Sequence, residues 1–436
     1  MYLPIKFDLT SQRSYTLTSY SKSVLSNIKT NFEIEYYFSE ELVLESNIVP
    51  QIIYFLKQIE SNSEAKIRYI SSKDSEFDKG LVKYQPENIG EKDLYNFITI
   101  RIGDKYKTIP SIPIAETIEF EVIRVINYLV SGKLKQIGIL VGNDEITKNN
   151  FNNLYSTLQS HFYVEFLEID AEIPEYIDSI IVIGHYALTN NHIHNIEHFL
   201  SHGKSMFFAG NGLSTNEGLQ YRETPMLSLL REMGLVVEPY LIGSNNSIDY
   251  IEDDGSITKY PLNIITYPNR TLKNNTIINP FTGFSGLHTS PIMIKNGDFN
   301  YLLKSSKDSW LVDSITGLDG VPESSYNIAV SGVTNIFTKP SRIVALGNNL
   351  SLTDFGTNYD FIVRSMYYLV SKEDLLTLRH KVNWDKSLFK VEDSIIRGTI
   401  LKIISIILFI YPLITIILLK GVFYIFSKLF RIRFKY

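Results

Sequence analysis

The sequence predicts an α/β fold, with two soluble domains followed by one membrane-spanning helix. Three observations carry this reading. Through the middle of the chain, short β-rich runs alternate with amphipathic helical patterns, the order that a mostly parallel sheet with covering helices requires. Near the carboxyl end, 17 residues pass without a charge from Ile403 to Leu419. The chain has 436 residues, 44% of them hydrophobic, which is enough for two or three domains with substantial cores.

The first domain is expected over residues 1–132. Phe32 to Phe38 (FEIEYYF) is a strand rich in β formers, and Val49 to Ile59 follows as an amphipathic helix. Lys66 to Ile70 gives another strand. Two further extended runs, Leu81 to Tyr84 and Phe97 to Ile102, flank a polar turn, and Glu116 to Leu129 forms a helix ended by Ser131-Gly132. The order β, α, β, β, β, α suggests a small thioredoxin-like domain. Thioredoxin chemistry is excluded, because the segment after the first strand reads Ser39-Glu40-Glu41-Leu42 and the chain holds no cysteine. That absence also removes disulfides, thiolate metal sites and every cysteine nucleophile.

The second domain is expected over residues 133–375. Strand Ile137 to Val141, helix Asn149 to Leu158, strand Tyr163 to Leu167, strand Ser179 to Ile183, helix Asn190 to Leu200 and strand Ser205 to Phe208 alternate as a parallel sheet demands. Met226 to Met233 adds a helix stopped by Gly234, and Val236 to Ile242 another strand. From about 244 to 289 the chain turns polar, with Asn, Ser, Asp, Gly and Pro clusters that predict loops and short hairpins. Strand patterns return at Ile292 to Ile294, Tyr301 to Leu303, Asn327 to Ser331 and Arg342 to Leu346, and helix Tyr359 to Val370 closes the domain.

A charged connector, 376–398, leads to a transmembrane helix over 399–427. The uncharged run reads IISIILFIYPLITIILL between Lys402 and Lys420. As a helix it spans about 25 Å at ~1.5 Å per residue, and flanking apolar residues with snorkelling lysines extend it toward a ~30 Å hydrocarbon core. Pro412 is tolerated there better than in a water-soluble helix. The tail holds Lys420, Lys428, Arg431, Arg433 and Lys435 against Lys390, Arg397 and Lys402 before the span. This bias places the carboxyl terminus, with its basic 428–436 tail, in the cytoplasm. The soluble body then lies outside the inner (cytoplasmic) membrane. The opening MYLPIKFDLT carries neither a signal peptide nor a first transmembrane helix.

Lys plus Arg is 42 and Asp plus Glu is 47, a net charge of −5. That balance excludes a polybasic nucleic-acid binder. The 28 Tyr and 25 Phe, beside 2 Trp, are read as strand and core composition.

Several segments, in their order, resemble the ABC transporter auxiliary family, in its GldG-like, gliding-motility form. Phe7 to Leu25 (FDLTSQRSYTLTSYSKSVL) looks like the family's Asp-Leu-Thr signature with its following Arg-x-Tyr-x-Leu-Ser/Thr stretch. Ile139 to Glu145 (ILVGNDE) stands where the family has a strand and a Gly-His-Gly-Glu turn, and Ser179 to Gly210 matches its strand, helix and Gly-rich strand entry. Thr224 to Val237 and Ser341 to Lys381 resemble later segments. Gly142 and Glu145 are kept, but Asn143 and Asp144 replace the His-Gly between them, and Asn348 sits where an Asp is common. The family's first transmembrane helix before Asp8 is missing, which points to a downstream start or a divergent single-span form. The resemblance implies cytoplasmic termini, an extracytoplasmic body, and a permease subunit and a P-loop ATPase as partners.

Residues that could carry chemistry each have a plainer reading. His192, His194, His198 and His202 cluster, the last three at i, i+4, i+8, a spacing that can bring imidazoles to one metal. The opposite face carries Ile193, Ile196 and Leu200, so the histidines read as the solvated side of an amphipathic helix. Gly132-Lys133 ends like a Walker A loop, but Asn127 and Leu134 replace the glycine and hydroxyl it requires, so the ATPase belongs to a partner. Gly283-Phe284-Ser285-Gly286-Leu287, near His288, resembles a nucleophile elbow up to its last position and reads as a turn. Glu252-Asp253-Asp254-Gly255 lacks the alternating ligands of a calcium loop and reads as a hairpin turn. The second domain resembles a glutamine-amidotransferase-like sheet without its cysteine. The expectation is a non-catalytic, membrane-anchored auxiliary subunit of an ABC transport system, without cofactor or metal, tied to gliding motility or the cell envelope. The alternatives are a membrane-tethered hydrolase of envelope carbohydrate using Asp144 and Glu145, and a solute-binding protein with a cleft between its domains.

Overall fold

The computed structural model describes residues 16–45, 48–74, 94–110, 117–142, 147–214, 220–251, 257–272, 275–278, 283–313, 320–353 and 359–371, with 374, 375 and 378. All of them belong to one compact unit, Thr16–Asn383.

The chain enters through α1 (Ser19–Ser26), where the Thr18 hydroxyl accepts the Ser21 N–H and so caps a helix that begins with unsatisfied donors. There follow β1 (Phe32–Phe38), α2 (Glu40–Glu45), α3 (Ile48–Asn62), β2 (Lys66–Ser71), β3 (Asn96–Ile102), β4 (Lys105–Ile109) and α4 (Ile118–Ser131). The strands form a sheet of order β2-β1-β3-β4, with β1 parallel to β2 and antiparallel to β3. Alternate β1 residues Phe32, Ile34 and Tyr36 are buried, as the two-residue period of a strand dictates. Gly132 ends α4 in the left-handed region at φ 72°, where its N–H reaches the Tyr128 carbonyl at 2.8 Å. The α4 carboxylate of Glu119 is buried. Its Oε1 accepts from the Thr18 N–H at 2.8 Å, the Thr18 hydroxyl at 3.0 Å and the Ser21 hydroxyl at 2.6 Å, which fastens α1 to α4.

The sequence pattern missed β4, because Lys105-Tyr106-Lys107-Thr108-Ile109 is a polar edge strand with only Ile109 buried. The run Leu81 to Tyr84, expected as a strand, lies outside the described residues.

The larger part continues with β5 (Gln136–Val141), α5 (Asn152–Gln159), β6 (Tyr163–Phe166), β7 (Ser179–Ile183), α6 (Asn190–Ser201) and β8 (Ser205–Ala209). A small ribbon of β9 (Leu213–Ser214) and β10 (Gln220–Tyr221) precedes α7 (Pro225–Glu232). Next come β11 (Leu235–Val237), β12 (Leu241–Ser244), β13 (Ser247–Ile251), β14 (Ile257–Ile265), β15 (Tyr267–Pro268), β16 (Ser285–Leu287) and β17 (Ile292–Ile294). β18 (Asp298–Lys304), β19 (Ser309–Val312), β20 (Asn327–Thr334), β21 (Ser341–Leu346) and α8 (Tyr359–Leu369) complete the described elements.

The central sheet has eight strands in the order β15-β18-β20-β21-β8-β7-β5-β6. Ladders from β21 to β6 are parallel and those from β15 to β21 antiparallel. Its inner strands β7, β8 and β21 are apolar on both faces. Ile181, Ile183, Phe207, Ala209, Val344 and Leu346 pack into one core with Leu154 of α5, Phe361 of α8 and residues of the N-terminal sheet. Ile180, Val182, Met206, Phe208, Ile343 and Ala345 pack into a second core under Ile196 of α6 and Leu230 of α7. Burial on both faces explains why SIIVI and SMFFA read as continuous apolar runs rather than alternating ones.

The strand expected over Val236 to Ile242 is two strands. β11 pairs with β17 and β12 with β19, and the break falls at Glu238-Pro239-Tyr240, where proline cannot donate to a ladder. The polar stretch after residue 244 folds in part into a three-stranded antiparallel sheet, β13-β14-β16. No helix among the described residues is long and apolar enough to cross a membrane, and Ile403 to Leu419 lie outside them.

Candidate functional site

In an open α/β sheet, ligands bind beyond the carboxyl ends of the parallel strands, at the point where strand order reverses. Here β5 is followed by β6 on one side and β7 on the other, so the reversal lies between the ends of β5 and β7. Four strands end alike, each passing from its last apolar residue through glycine to an amide or imidazole: Val141-Gly142-Asn143, Ile183-Gly184-His185, Ala209-Gly210-Asn211 and Leu346-Gly347-Asn348. Each glycine N–H extends the sheet by one bond, from Gly142 to the Ile183 carbonyl at 2.8 Å, Gly184 to Ala209 at 2.7 Å, Gly210 to Leu346 at 3.0 Å and Gly347 to Ile328 at 2.9 Å.

Of the polar residues that follow, His185, Asn211 and Asn348 are buried. His185 lies fully inside, with Nε2 2.8 Å from the Asn211 carbonyl and Nδ1 2.9 Å from the Thr224 hydroxyl. A carbonyl only accepts, so Nε2 carries the proton and Nδ1 receives the hydrogen of Thr224. Thr224 in turn N-caps α7 by accepting the Leu227 N–H. Burial pushes the His185 pKa down to about 4, so the ring is neutral, and both nitrogens are engaged.

Asn211 and Asn348 are also turned inward. The Asn211 side chain donates to the Leu213 carbonyl at 2.9 Å. That of Asn348 donates to the Leu287 carbonyl and to the Thr289 hydroxyl, and its Oδ1 accepts the Ser351 N–H at 2.7 Å. The Gly212 N–H reaches the Ser290 hydroxyl at 2.8 Å, and the Ser290 N–H the Gly347 carbonyl at 2.7 Å, closing the network between strand ends. Tyr186 lies over His185 with ring centroids 4.2 Å apart, and burial pushes its hydroxyl pKa up.

At the end of β5, Gly142 is crowded by Leu188 and the Gly184 backbone. A Cβ on Gly142 would sit 2.8 Å from Leu188 Cγ and 2.9 Å from the Gly184 carbonyl oxygen, and the Ala187 N–H donates to the Gly142 carbonyl at 3.0 Å. This geometry anchors loops. It does not leave His185 free to take or give a proton.

The histidines singled out in the sequence do not converge. His192 Nε2 donates to Asp170 at 2.9 Å, while its Nδ1 accepts the Thr189 N–H at 3.1 Å. His194 is 81% exposed, 3.8 Å from Glu197, and the His198 and His202 rings lie 4.6 Å apart, tilted by 58°. Among the described residues no group of three or more His, Asp or Glu side chains is placed to hold a metal. Gly132 is a helix cap, as expected, and Lys133 follows it in an irregular segment.

Ser285 lies within β16, paired with Ile265, rather than at the strand-to-helix turn of a nucleophile elbow. His288 is in the left-handed region at φ 53° with Nε2 2.6 Å from the Tyr260 hydroxyl; burial lowers its pKa. Glu252 to Gly255 connect the antiparallel β13 and β14 but lie outside the described residues, as do Asp144 and Glu145. Sequence reasoning missed His185, Asn211 and Thr224, although the fourfold Gly-Asn/His pattern at the strand ends was there to be read.

A groove of about 550 Å³ runs over α6 and the turn between β20 and β21, bordered by His194, Glu197, His198, Glu232, Ile336 and Phe337. A second, of about 440 Å³, lies between α6 and α7 and shares His194, Glu197 and Glu232 with the first.

A relative from Borreliella burgdorferi, described as an uncharacterized protein, is 23% identical over 473 residues, covering 95% of this chain and 92% of that one. A ThuA-like protein from Bacteroides uniformis superposes with a TM-score of 0.35 at 12% identity, over 55% of this chain and 92% of that one. A glutamine amidotransferase from Methylobacillus flagellatus gives 0.27 at 10% identity, over 59% and 96% of the two chains. At these TM-scores neither superposition carries an argument about fold or chemistry. Residues 134–330, the span from the start of the central sheet into β20, match the family model of an ABC-type uncharacterized transport system.

Proposed function

We propose that this chain is a non-catalytic auxiliary subunit of an ABC transport system. The observation that carries the reading is the family match over residues 134–330. The strand ends support it, because the buried imidazole there is neutral and spends both nitrogens on holding α7 and the β8 loop. In the finer form of the proposal, residues 1–132 are a thioredoxin-like domain and 133–375 an amidotransferase-like one, both used as recognition scaffolds. Residues 399–427 are a single-pass anchor beside a permease subunit in the bacterial inner membrane, with the body extracytoplasmic and a P-loop ATPase on the far side. A GldG-like role in gliding motility or the cell envelope completes this form.

Full-length chain bearing an affinity tag, extracted in mild detergent from its own cells, is expected to bring down a multispan permease and a P-loop ATPase. Recovery of neither subunit refutes the transport reading. Full-length chain that stays in the supernatant after high-speed centrifugation without detergent refutes the anchor.

A further inference from the structure

The sequence holds two Asn-Gly pairs, Asn211-Gly212 and Asn296-Gly297. An asparagine followed by glycine can react within its own backbone. The nitrogen of the next residue attacks the side-chain carbon Cγ, and glycine has no Cβ to shield that nitrogen. The structure puts the two pairs in opposite surroundings. Asn211 is buried, its side chain donates to the Leu213 carbonyl at 2.9 Å, and the Gly212 N–H is spent on the Ser290 hydroxyl at 2.8 Å. Both reacting groups are already engaged there. Asn296 and Gly297 are exposed in the turn between β17 and β18, with Gly297 in the left-handed region at φ 94°. Among the described residues, neither the Asn296 carboxamide nor the Gly297 N–H has a hydrogen-bond partner. That N–H is free to give its proton to solvent.

The neighbours of this turn give the reaction a structural consequence. Gly234 stops α7 at φ 93°, its N–H reaching the Arg231 carbonyl at 3.0 Å and its carbonyl accepting the Lys295 N–H at 2.8 Å. Asn296 Oδ1 and the Asn296 carbonyl oxygen lie where a Cβ on Gly234 would be. A carboxylate at position 296 therefore sits just beyond the carboxyl end of α7, where the helix dipole disfavours negative charge and Glu232 already ends the helix.

We propose that Asn296 is a site of spontaneous covalent modification, and that its conversion loosens the seam between α7 and the β17–β18 turn. The Gly297 nitrogen bonds to Asn296 Cγ and gives up its proton, the carboxamide C–N bond breaks, and ammonia leaves behind a five-membered succinimide. Water then opens the ring. Cleavage between Cγ and the nitrogen gives aspartate. Cleavage between the backbone carbonyl carbon and the nitrogen gives isoaspartate, which routes the main chain through the side chain and lengthens the turn by one carbon. One water is consumed and one ammonia released, with no oxidant or reductant. The proposal concerns this chain alone, so it stands or falls apart from the transport reading.

The test ages the full-length chain in mild detergent at mildly alkaline pH, where loss of the amide proton is favoured. After digestion, fragmentation mass spectrometry locates the gain of about 1 Da, and labelling by an isoaspartyl methyltransferase reports the rearranged product. In the folded chain Asn296 is expected to convert at least about tenfold faster than Asn211, which must wait for local opening. In urea, where neither pair is held, that difference should largely disappear. Aged wild type should melt at a lower temperature than fresh protein, whereas Asn296→Gln, whose longer side chain closes the ring poorly, should melt unchanged after the same treatment. Equal rates at the two asparagines in the folded chain, no conversion at Asn296, or the same loss in aged Asn296→Gln overturns the proposal.

Discussion

His185 makes the protein's stability depend on pH over a window that can be worked out in advance. Unfolded, the imidazole titrates near 6.5; folded, burial holds it down to about 4. The unfolded chain therefore binds the extra proton first, and stability rises with pH wherever it does so. The contribution is complete above about 6.5 and is lost as pH falls from there toward 4, with a ceiling of about 3 kcal/mol at ~1.4 kcal/mol per pH unit. Between pH 8 and pH 5 the loss is about 2 kcal/mol. Glu223, lowered to about 2 mainly by Arg231, titrates below this window. His288, lowered by burial, acts in the same direction but is common to wild type and variant, so it cancels in their difference.

Urea unfolding of wild type and His185→Gln at both pH values measures the effect. The variant is expected to be weaker at pH 8 by about 1–3 kcal/mol, since the Asn211 carbonyl and Thr224 hydroxyl lose their partner. It should also lose about 2 kcal/mol less than wild type on going to pH 5. Equal pH slopes for the two proteins would show that the ring is not held neutral, and the structural role assigned to it would fail.

Gly142→Ala should cost about 1–3 kcal/mol by urea unfolding, because the added carbon meets the Gly184 carbonyl oxygen at 2.9 Å. Glu119→Ala removes the acceptor shared by Thr18 and Ser21, and limited proteolysis should then cut near α1 at a protease level that leaves wild type intact. Thr224→Val keeps the shape but loses both the α7 cap and the hydrogen given to His185; a loss of about 2 kcal/mol is expected by thermal unfolding. His198→Ala should leave stability within about 0.5 kcal/mol, as befits an exposed helix position.

Much of the central sheet was legible in the sequence because its strands are short apolar runs set between amphipathic helices. β5, β7, α6 and β8 fall within a residue or two of their expected bounds. The parts that were not legible share a cause. β4 is a polar edge strand with only Ile109 buried, and β12 and β19 pair across a stretch of sequence that no local pattern encodes. The candidate site was hidden for another reason. His185 follows an apolar strand with one glycine between, and sequence alone does not distinguish an imidazole aimed at solvent from one donating to Asn211. The four histidines on and beside α6 drew attention by number, whereas the fully buried His185 stood alone.

A strand that is greasy on both sides carries no inside-or-outside cue, so sliding β7 or β8 by one position would still present hydrocarbon to each neighbouring layer. The glycine and polar residue at each terminus supply what the alternation lacks. A slipped strand would push a side chain into the gap that only glycine fits and drag the imidazole or amide away from its waiting carbonyl. These endings act as index notches that let the ladder close in one alignment, which gives selection a reason to keep them even if nothing is ever bound there.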